Sequence, residues 1–226
     1  MSSHHIVREG QEPALIIANG EQCSIEILHQ LLEWSPYIVV LDGALSKVLN
    51  LGIKFDVVLG DFDHTSIEEI REMVPPDTEI KHFPDQETTD LEKALEFLIG
   101  KKFEAVNILW ATGKRSDHYM NNIGTLARYK DRINMVMTDN HSRIYPINSG
   151  FRKHYEAGTN VSLIPLNKVE NMRTENLVWN LHGETVEYPY RTSSSNRVAS
   201  TGIVLVTFDS GILLMMECID LFGEFA

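Results

Sequence analysis

From residue 14 to about 138, short apolar runs alternate with stretches of helical period. Residues 14–18, 37–41, 57–59, 105–111 and 134–138 read as buried strands, with 79–83 a less apolar candidate. Between them, 24–34, 46–51, 67–73, 89–101 and 117–129 read as helices. Ser66 with Glu69, and Thr89 with Glu92, have the capping-box spacing, in which hydroxyl and carboxylate satisfy the first free backbone donors of a helix. Beyond the second cap, Leu91, Ala94, Leu95, Leu98 and Ile99 form one apolar stripe. Strand-helix alternation of this kind predicts an α/β unit of Rossmann-like type, with a mostly parallel sheet covered on both faces.

After about Tyr145 the helical period disappears. Residues 160–166, 177–181, 184–188, 204–208 and 212–217 read as short strands, and Asp209-Ser210-Gly211 as a hairpin turn joining the last two. The expected division is an α/β domain over 1–145 and an all-β sandwich or barrel domain over 146–226.

Composition narrows the function classes. With 43% hydrophobic and 23% charged residues, the 226-residue chain has the make-up of a folded globular protein. No leader pattern or membrane-length apolar run is visible, which places the protein in the cytoplasm as an expectation, without a membrane partner. Cys23 and Cys218 lack metal-site spacing and are expected to be buried thiols. A formal net charge of -12 without a Lys/Arg cluster argues against a nucleic-acid partner. Phosphate chemistry on so acidic a chain requires metal and a few placed cations.

Candidate chemistry gathers where strands end. Val57-Val58-Leu59-Gly60 delivers Asp61 and Asp63, two hard oxygen ligands at a strand terminus, although Asp63 or Ser66 also suits a helix cap. Asp42-Gly43 follows the preceding strand. Gln86 and Asp90 lie in the run leading to the capped helix, and Gly113, Arg115 and Asp117 in the run 112–117. In a parallel sheet all strand C-termini share one edge, so these clusters converge there. Asp90 and Asp117 also suit a simpler role, complementing helix dipoles. Neither Gly-x-x-x-x-Gly-Lys-Ser/Thr nor Gly-x-Gly-x-x-Gly occurs. His64, His82, His118 and His182 show no ligand spacing, and His64 has no evident role.

Taken together, Asp42-Gly43-Ala44, Gly60-Asp61-Phe62-Asp63, the run 85–94, the run 113–118, the run 161–165, the run 177–181 and Ser194-Ser195-Asn196 resemble the thiamin pyrophosphokinase family, in the family's order. The resemblance implies a nucleotide-binding α/β domain, a thiamin-binding β-sandwich, and a homodimer with active sites between subunits. It also implies transfer of a diphosphoryl group from ATP to the hydroxyl of thiamin with Mg²⁺. On this reading Asp61, Asp63 and Asp90 are metal and catalytic carboxylates, joined in catalysis by Arg115. Asp42, Gly43, Gln86, Gly113, Arg115 and Asp117 meet ATP. Trp179, Ser195 and Asn196 meet thiamin. The chain departs from the family at Ala44 and Ser46, at His64, and in the run 110–114, where glycines are fewer. Two other readings are a metal-dependent nucleotide transferase such as a glycosyltransferase, and a non-catalytic thiamin or nucleotide sensor.

Overall fold

The structure, a computed structural model, describes residues 12–63 and 65–219. His64 therefore lies outside the described residues. Two compact units divide the chain between Asp139 and Asn140.

The first unit runs β1 (Ala14–Ile17), α1 (Ile25–Leu32), β2 (Ile38–Leu41), a short 3-10 turn, α2 (Leu45–Asn50), β3 (Val57–Gly60), α3 (Ile67–Met73), β4 (Glu79–His82), α4 (Asp90–Gly100), β5 (Ala105–Leu109), α5 (Ser116–Tyr129) and β6 (Asn134–Thr138). All six strands are parallel, in the order β6-β5-β1-β2-β3-β4. Strands β1, β2 and β3 are buried along their whole length, as their unbroken apolar runs require. Leu15, Ile17, Val40 and Val58 face one cluster with Leu28, Val48 and Ile70 from α1, α2 and α3. Because side chains alternate along a strand, Ile16, Val39 and Leu59 face the opposite side, where α4 packs on β1, β2 and β3.

Both predicted capping boxes form. Ser66 accepts from the Glu69 backbone N–H and Thr89 from that of Glu92, each with the reciprocal carboxylate bond. Ser66 rather than Asp63 is thus the cap of α3. Glu92 is buried and also takes the Arg128 guanidinium, tying α4 to α5.

The second unit contains β7 (Ser142–Ile147), β8 (Phe151–Tyr155), β9 (Asn160–Pro165), β10 (Val169–Glu175), β11 (His182–Val186), β12 (Ser193–Arg197), β13 (Gly202–Thr207) and β14 (Leu213–Cys218). Strands β12-β9-β14-β7 form one antiparallel layer and β11-β10-β13-β8 another. Val161, Leu163, Leu213 and Met215 of the first meet Val169, Met172, Val204 and Val206 of the second in one core. The unit is a β-sandwich.

Three expectations need correction. Residues 209–211 do not close a hairpin, since β13 and β14 belong to different layers; the same turn residues carry the chain across the sandwich instead. Residues 177–181 are a loop, not a strand. The Asn180 side chain accepts from the Leu177 N–H and from Thr174 Oγ1, closing the turn, while Leu177 and Leu181 plug the core. The cysteines form no disulfide and are half-buried rather than buried. No helix among the described residues is long and apolar enough to cross a membrane.

The sandwich contains one buried ionic cluster. Glu217 on β14 accepts from Tyr155 Oη at 2.7 Å and from Tyr145, and pairs with Lys153. Burial alone would raise the Glu217 carboxyl, but Lys153 and the two phenols hold it below its ordinary value. Its stabilisation is therefore present above pH 4.5 and is lost as pH falls through the depressed folded-state value. Replacing Lys153 by Met strands the carboxylate and is expected to cost ~3 kcal/mol. Urea denaturation at neutral pH checks this, with Lys153→Arg recovering most of the loss.

Candidate active site

Strand order reverses around β1: β2 to β4 lie on one side and β5 and β6 on the other, so loops leaving β1 and β5 part at a switch point. Backbone bonds join these loops. The N–H groups of Ala18, Gly20 and Glu21 donate to the carbonyls of Leu109, Trp110 and Thr112. Trp110, 1% exposed, takes a left-handed φ of 56° and anchors its ring in the core.

A cavity of about 400 Å³ opens at this edge, lined among others by Asp42, Asp61, Asp90, Lys93, Lys114 and Arg115. Each strand-end cluster sends residues to this one space, although Asp63, Gln86 and Asp117 do not line it. Gly43, Gly113 and His118 also line it; His118 carried no role in the sequence reading.

Each carboxylate is held by specific partners. Asp42 accepts from the N–H groups of Gly43 at 2.5 Å and Phe62 at 3.1 Å. Its carboxyl packs against Gly60, where an added Cβ would lie 2.4 Å from Asp42 Cγ. Only glycine admits that approach. Asp61 accepts from Gln86 Nε2 at 3.1 Å and from the Asp63 N–H at 3.2 Å. Asp90, in the first turn of α4, pairs with buried Lys93 at 3.1 Å. Burial lifts Asp42 above the usual carboxylate range against the pull of the Phe62 and Gly43 N–H groups, and the charge of Asp61 adds to the rise. Burial and then the charge of Asp42 lift Asp90, with Lys93 opposing.

Asp63 stands apart from Asp90. Phe62 is buried with φ 54°, and the chain turns there, so that Asp63 lines an adjoining cavity with Asp61 and Asp42. Around the larger cavity, the trio with Asp61 and Asp90 is completed by Asp42 instead. Arg115 and Asp117 form an exposed two-point ion pair, Nε to Oδ1 at 3.1 Å and Nη2 to Oδ2 at 2.5 Å, and the guanidinium holds Asp117 down to about 2.

No ready-made cage of three or more metal-ligating side chains exists among the described residues. The donor set nonetheless fits Mg²⁺, which binds through one or two carboxylates plus substrate phosphates and keeps several waters. Two carboxylates raised by burial and like charge have the electrostatics of a cation site.

A cationic group escaped the sequence reading. Lys47 Nζ of α2 donates to Asn19 Oδ1 at 2.7 Å and approaches Gly20 O at 3.4 Å; Asn19 O lies 3.5 Å from both Lys47 Nζ and Lys114 Nζ. Asn19 sits at the C-terminal end of β1, so the strand-end rule applied to that strand would have found it. Its amide nitrogen lies where a Cβ on Gly43 would be, 2.4 Å away, which explains the glycine there.

In the sandwich unit, Asn196 is 2% exposed and fully engaged. Its Oδ1 accepts from the N–H groups of Trp179 and Arg197, and its Nδ2 donates to Trp179 O and Ser193 Oγ. An amide has two donors and two lone pairs, so none is left for a ligand. Asn196 positions Trp179, whose side chain is 60% exposed. Ser195 is exposed at a β-bulge with φ 53°, its N–H on Ser162 Oγ.

Two family models match the chain in tandem: "Thiamin pyrophosphokinase, catalytic domain" over residues 28–137 and "Thiamin pyrophosphokinase, vitamin B1 binding domain" over 150–213. The chain belongs to the thiamin pyrophosphokinase family. Thiamin pyrophosphokinase 1 of Caenorhabditis elegans is 23% identical over 221 residues, covering 91% of this chain and 89% of the relative. Thiamine pyrophosphokinase 1 of Oryza sativa subsp. japonica is 31% identical over 173 residues, 71% of this chain and 65% of the relative. The crystal structure of thiamine pyrophosphokinase from Bacillus subtilis shares the fold, with a TM-score of 0.78 at 22% identity, covering 93% of this chain and all (100%) of that one. In this family member, the catalytic-domain match spans Asp42, Asp61, Asp63, Asp90 and Asp117.

The raised Asp42 and Asp90 contribute stability that is present below pH 3.8 and is lost as pH rises through their folded-state values. At neutral pH their mutual repulsion opposes folding. Asp90→Asn is therefore expected to raise the thermal midpoint measured in chelator and to shrink the further rise on adding Mg²⁺. Calorimetry at neutral pH with and without Mg²⁺ reads both.

Proposed function

We propose that this enzyme transfers the terminal diphosphoryl group of ATP to the hydroxyl of thiamin, giving thiamin diphosphate and AMP. The observation that carries the reading is the convergence of Asp42, Asp61 and Asp90 with Lys93, Lys114 and Arg115 on one cavity at the sheet's switch point. The tandem match to both domains of one family supports it. A glycosyltransferase leaves the B1-binding match without a purpose, and a pure sensor has no need of the carboxylate cluster.

In the reaction the thiamin hydroxyl oxygen bonds to the β-phosphorus and gives up its proton, in the end to solvent, while the bond to the α,β-bridging oxygen breaks and its electron pair leaves with AMP. Such transfer asks the protein for positioning and charge stabilisation more than covalent chemistry. We assign Asp61, Asp63 and Asp90 to Mg²⁺, with Asp42 beside them. When bound, the ion neutralises phosphate charge along the transferred group. Gln86 orients Asp61, and Lys93 orients Asp90. Arg115 stabilises phosphate charge and Asp117 aligns its guanidinium. Gly43 and Gly113 let backbone approach the nucleotide. For thiamin, we assign Trp179 as an aromatic face and Ser195 as a polar contact, with Asn196 holding the loop. The exposure of Trp179 supports a homodimer in which a second copy supplies it to the site.

Asp61→Ala is expected to lower kcat by about 10² or more with an unchanged circular dichroism spectrum; near-normal turnover of the purified variant would remove the metal role. The shared site is tested by complementation. Asp61→Ala and Trp179→Ala, each inactive alone, regain about a quarter of wild-type activity once refolded together, because half the dimers carry one intact site. No recovery on mixing contradicts a site shared between copies.

A further inference from the structure

Two ammonium groups from different elements converge on the Asn19 carbonyl, in a loop whose Glu21 carboxylate packs against Gly113 without forming an ion pair to either. Lys47 comes from α2 and Lys114 from the loop before α5, yet both reach the Asn19 carbonyl oxygen at 3.5 Å. Their remaining acceptors are Asn19 Oδ1 and Gly20 O, which carry no charge. Neither lysine forms an ion pair among the described residues, in a chain whose formal net charge is -12. Like charges held together without a counter-charge form a binding site for an anion.

The loop that gathers them is fixed from beneath. Gly20 and Glu21 are bonded to the Trp110 and Thr112 carbonyls, and the Trp110 ring is embedded in the core. Asn19 and Lys114 line the same cavity as Asp61, Asp90 and Arg115. Lys114 thus flanks the carboxylates, and Lys47 reaches the rim of that cavity through its bond to the Asn19 side chain.

We propose that Lys47 and Lys114, ordered by Asn19, form a phosphate-oxygen subsite that binds the polyphosphate of the nucleotide and sets its affinity. The proposal rests on the kinase reading only for the identity of the anion. The residue sets for metal and for anion are then separate: carboxylates for the one, two lysines for the other.

The pair also carries a pH signature. Burial first, and then the hydrogen-bond contact and charge of Lys114, pull the Lys47 amine down to about 8. Lys114 is the charged group that acts on it, Asn19 and Gly20 contribute neutral oxygens, and the Glu21 carboxylate of the same loop lies against Gly113, beside Lys114. An anion favours the protonated amine, so binding below about pH 8 finds Lys47 charged, whereas above it a proton must be taken up. Affinity falls as pH rises, up to about tenfold per pH unit.

The test combines kinetics with direct binding on the full-length enzyme. Lys47→Gln and Lys114→Gln are each expected to raise KM for ATP about tenfold, with KM for thiamin unchanged. Lys47→Arg, which stays charged, restores KM to near the wild-type value and abolishes its rise above about pH 8. A purely structural role for Lys47 would move melting temperature and both KM values together and would leave the pH profile alone. Titration with inorganic pyrophosphate in a calorimeter reads the subsite without turnover: wild type binds, and Lys47→Gln binds about tenfold more weakly. If wild type converts ATP and thiamin but Lys47→Gln keeps its KM for ATP, the subsite is overturned and the kinase reading stands. If wild type shows no turnover, weaker pyrophosphate binding by Lys47→Gln still supports the subsite, and equal binding overturns it.

Discussion

Three aspartates gathered at one sheet edge, Asp42 and Asp61 after β2 and β3 and Asp90 in the first turn of α4, with Asp42 and Asp90 raised by burial and neighbouring carboxylate charge, are the constraint around which the catalytic unit is arranged. Their repulsion is unfavourable for the protein alone, and much local structure holds them in place. Gly60 leaves room for the Asp42 carboxyl, two backbone N–H groups grip it, Gln86 and the Asp63 N–H grip Asp61, and Lys93 grips Asp90. The apolar strands below are buried end to end, so the cluster rests on a rigid base. A bound cation and phosphate relieve this strain in opposite directions. In the proposed reaction the carboxylates meet the cation and the lysines around Asn19 meet the phosphate.

The sandwich unit uses its polar groups differently. The Lys153–Glu217 pair with its two tyrosines joins strands of both layers through the interior. Asn196 is buried too, but spends its four hydrogen-bonding positions on fixing the loop that presents Trp179. A rigid frame carrying one exposed aromatic side chain suits recognition of a flat, cationic ring by stacking. The acidic charge of the chain favours such a ligand as well.

Legibility in the sequence followed burial. Strands covered on both faces declare themselves as apolar runs, so β1, β2, β3, β5 and β6 were readable, and hydroxyl-carboxylate spacing marked the starts of α3 and α4. Strands β8 and β12 were not, because Phe151-Arg-Lys-His-Tyr155 and Ser193-Ser-Ser-Asn-Arg197 place few apolar residues inward and lie at layer edges. Turn chemistry at 209–211 reveals that the chain turns, not whether it stays in its layer. In the site, strand ends placed Asp42 and Asp61 and a helix start placed Asp90, whereas the left-handed Phe62 that turns Asp63 toward the adjoining cavity has no signature in the sequence. Lys47 was hidden because its role depends on Asn19, distant in sequence and brought close by the parallel pairing of β1 and β2. The engagement of the Asn196 amide with Trp179, Ser193 and Arg197 is not visible in the sequence, because it depends on the fold of the loops around it.

The proposed chemistry joins ATP and thiamin at this cavity. The most direct measurement incubates purified full-length protein with ATP, Mg²⁺ and thiamin and quantifies nucleotides and thiamin esters together. AMP and thiamin diphosphate are expected in equal amounts, with AMP formed only when thiamin is present. ADP with thiamin monophosphate, or AMP released at the same rate without thiamin, would contradict it.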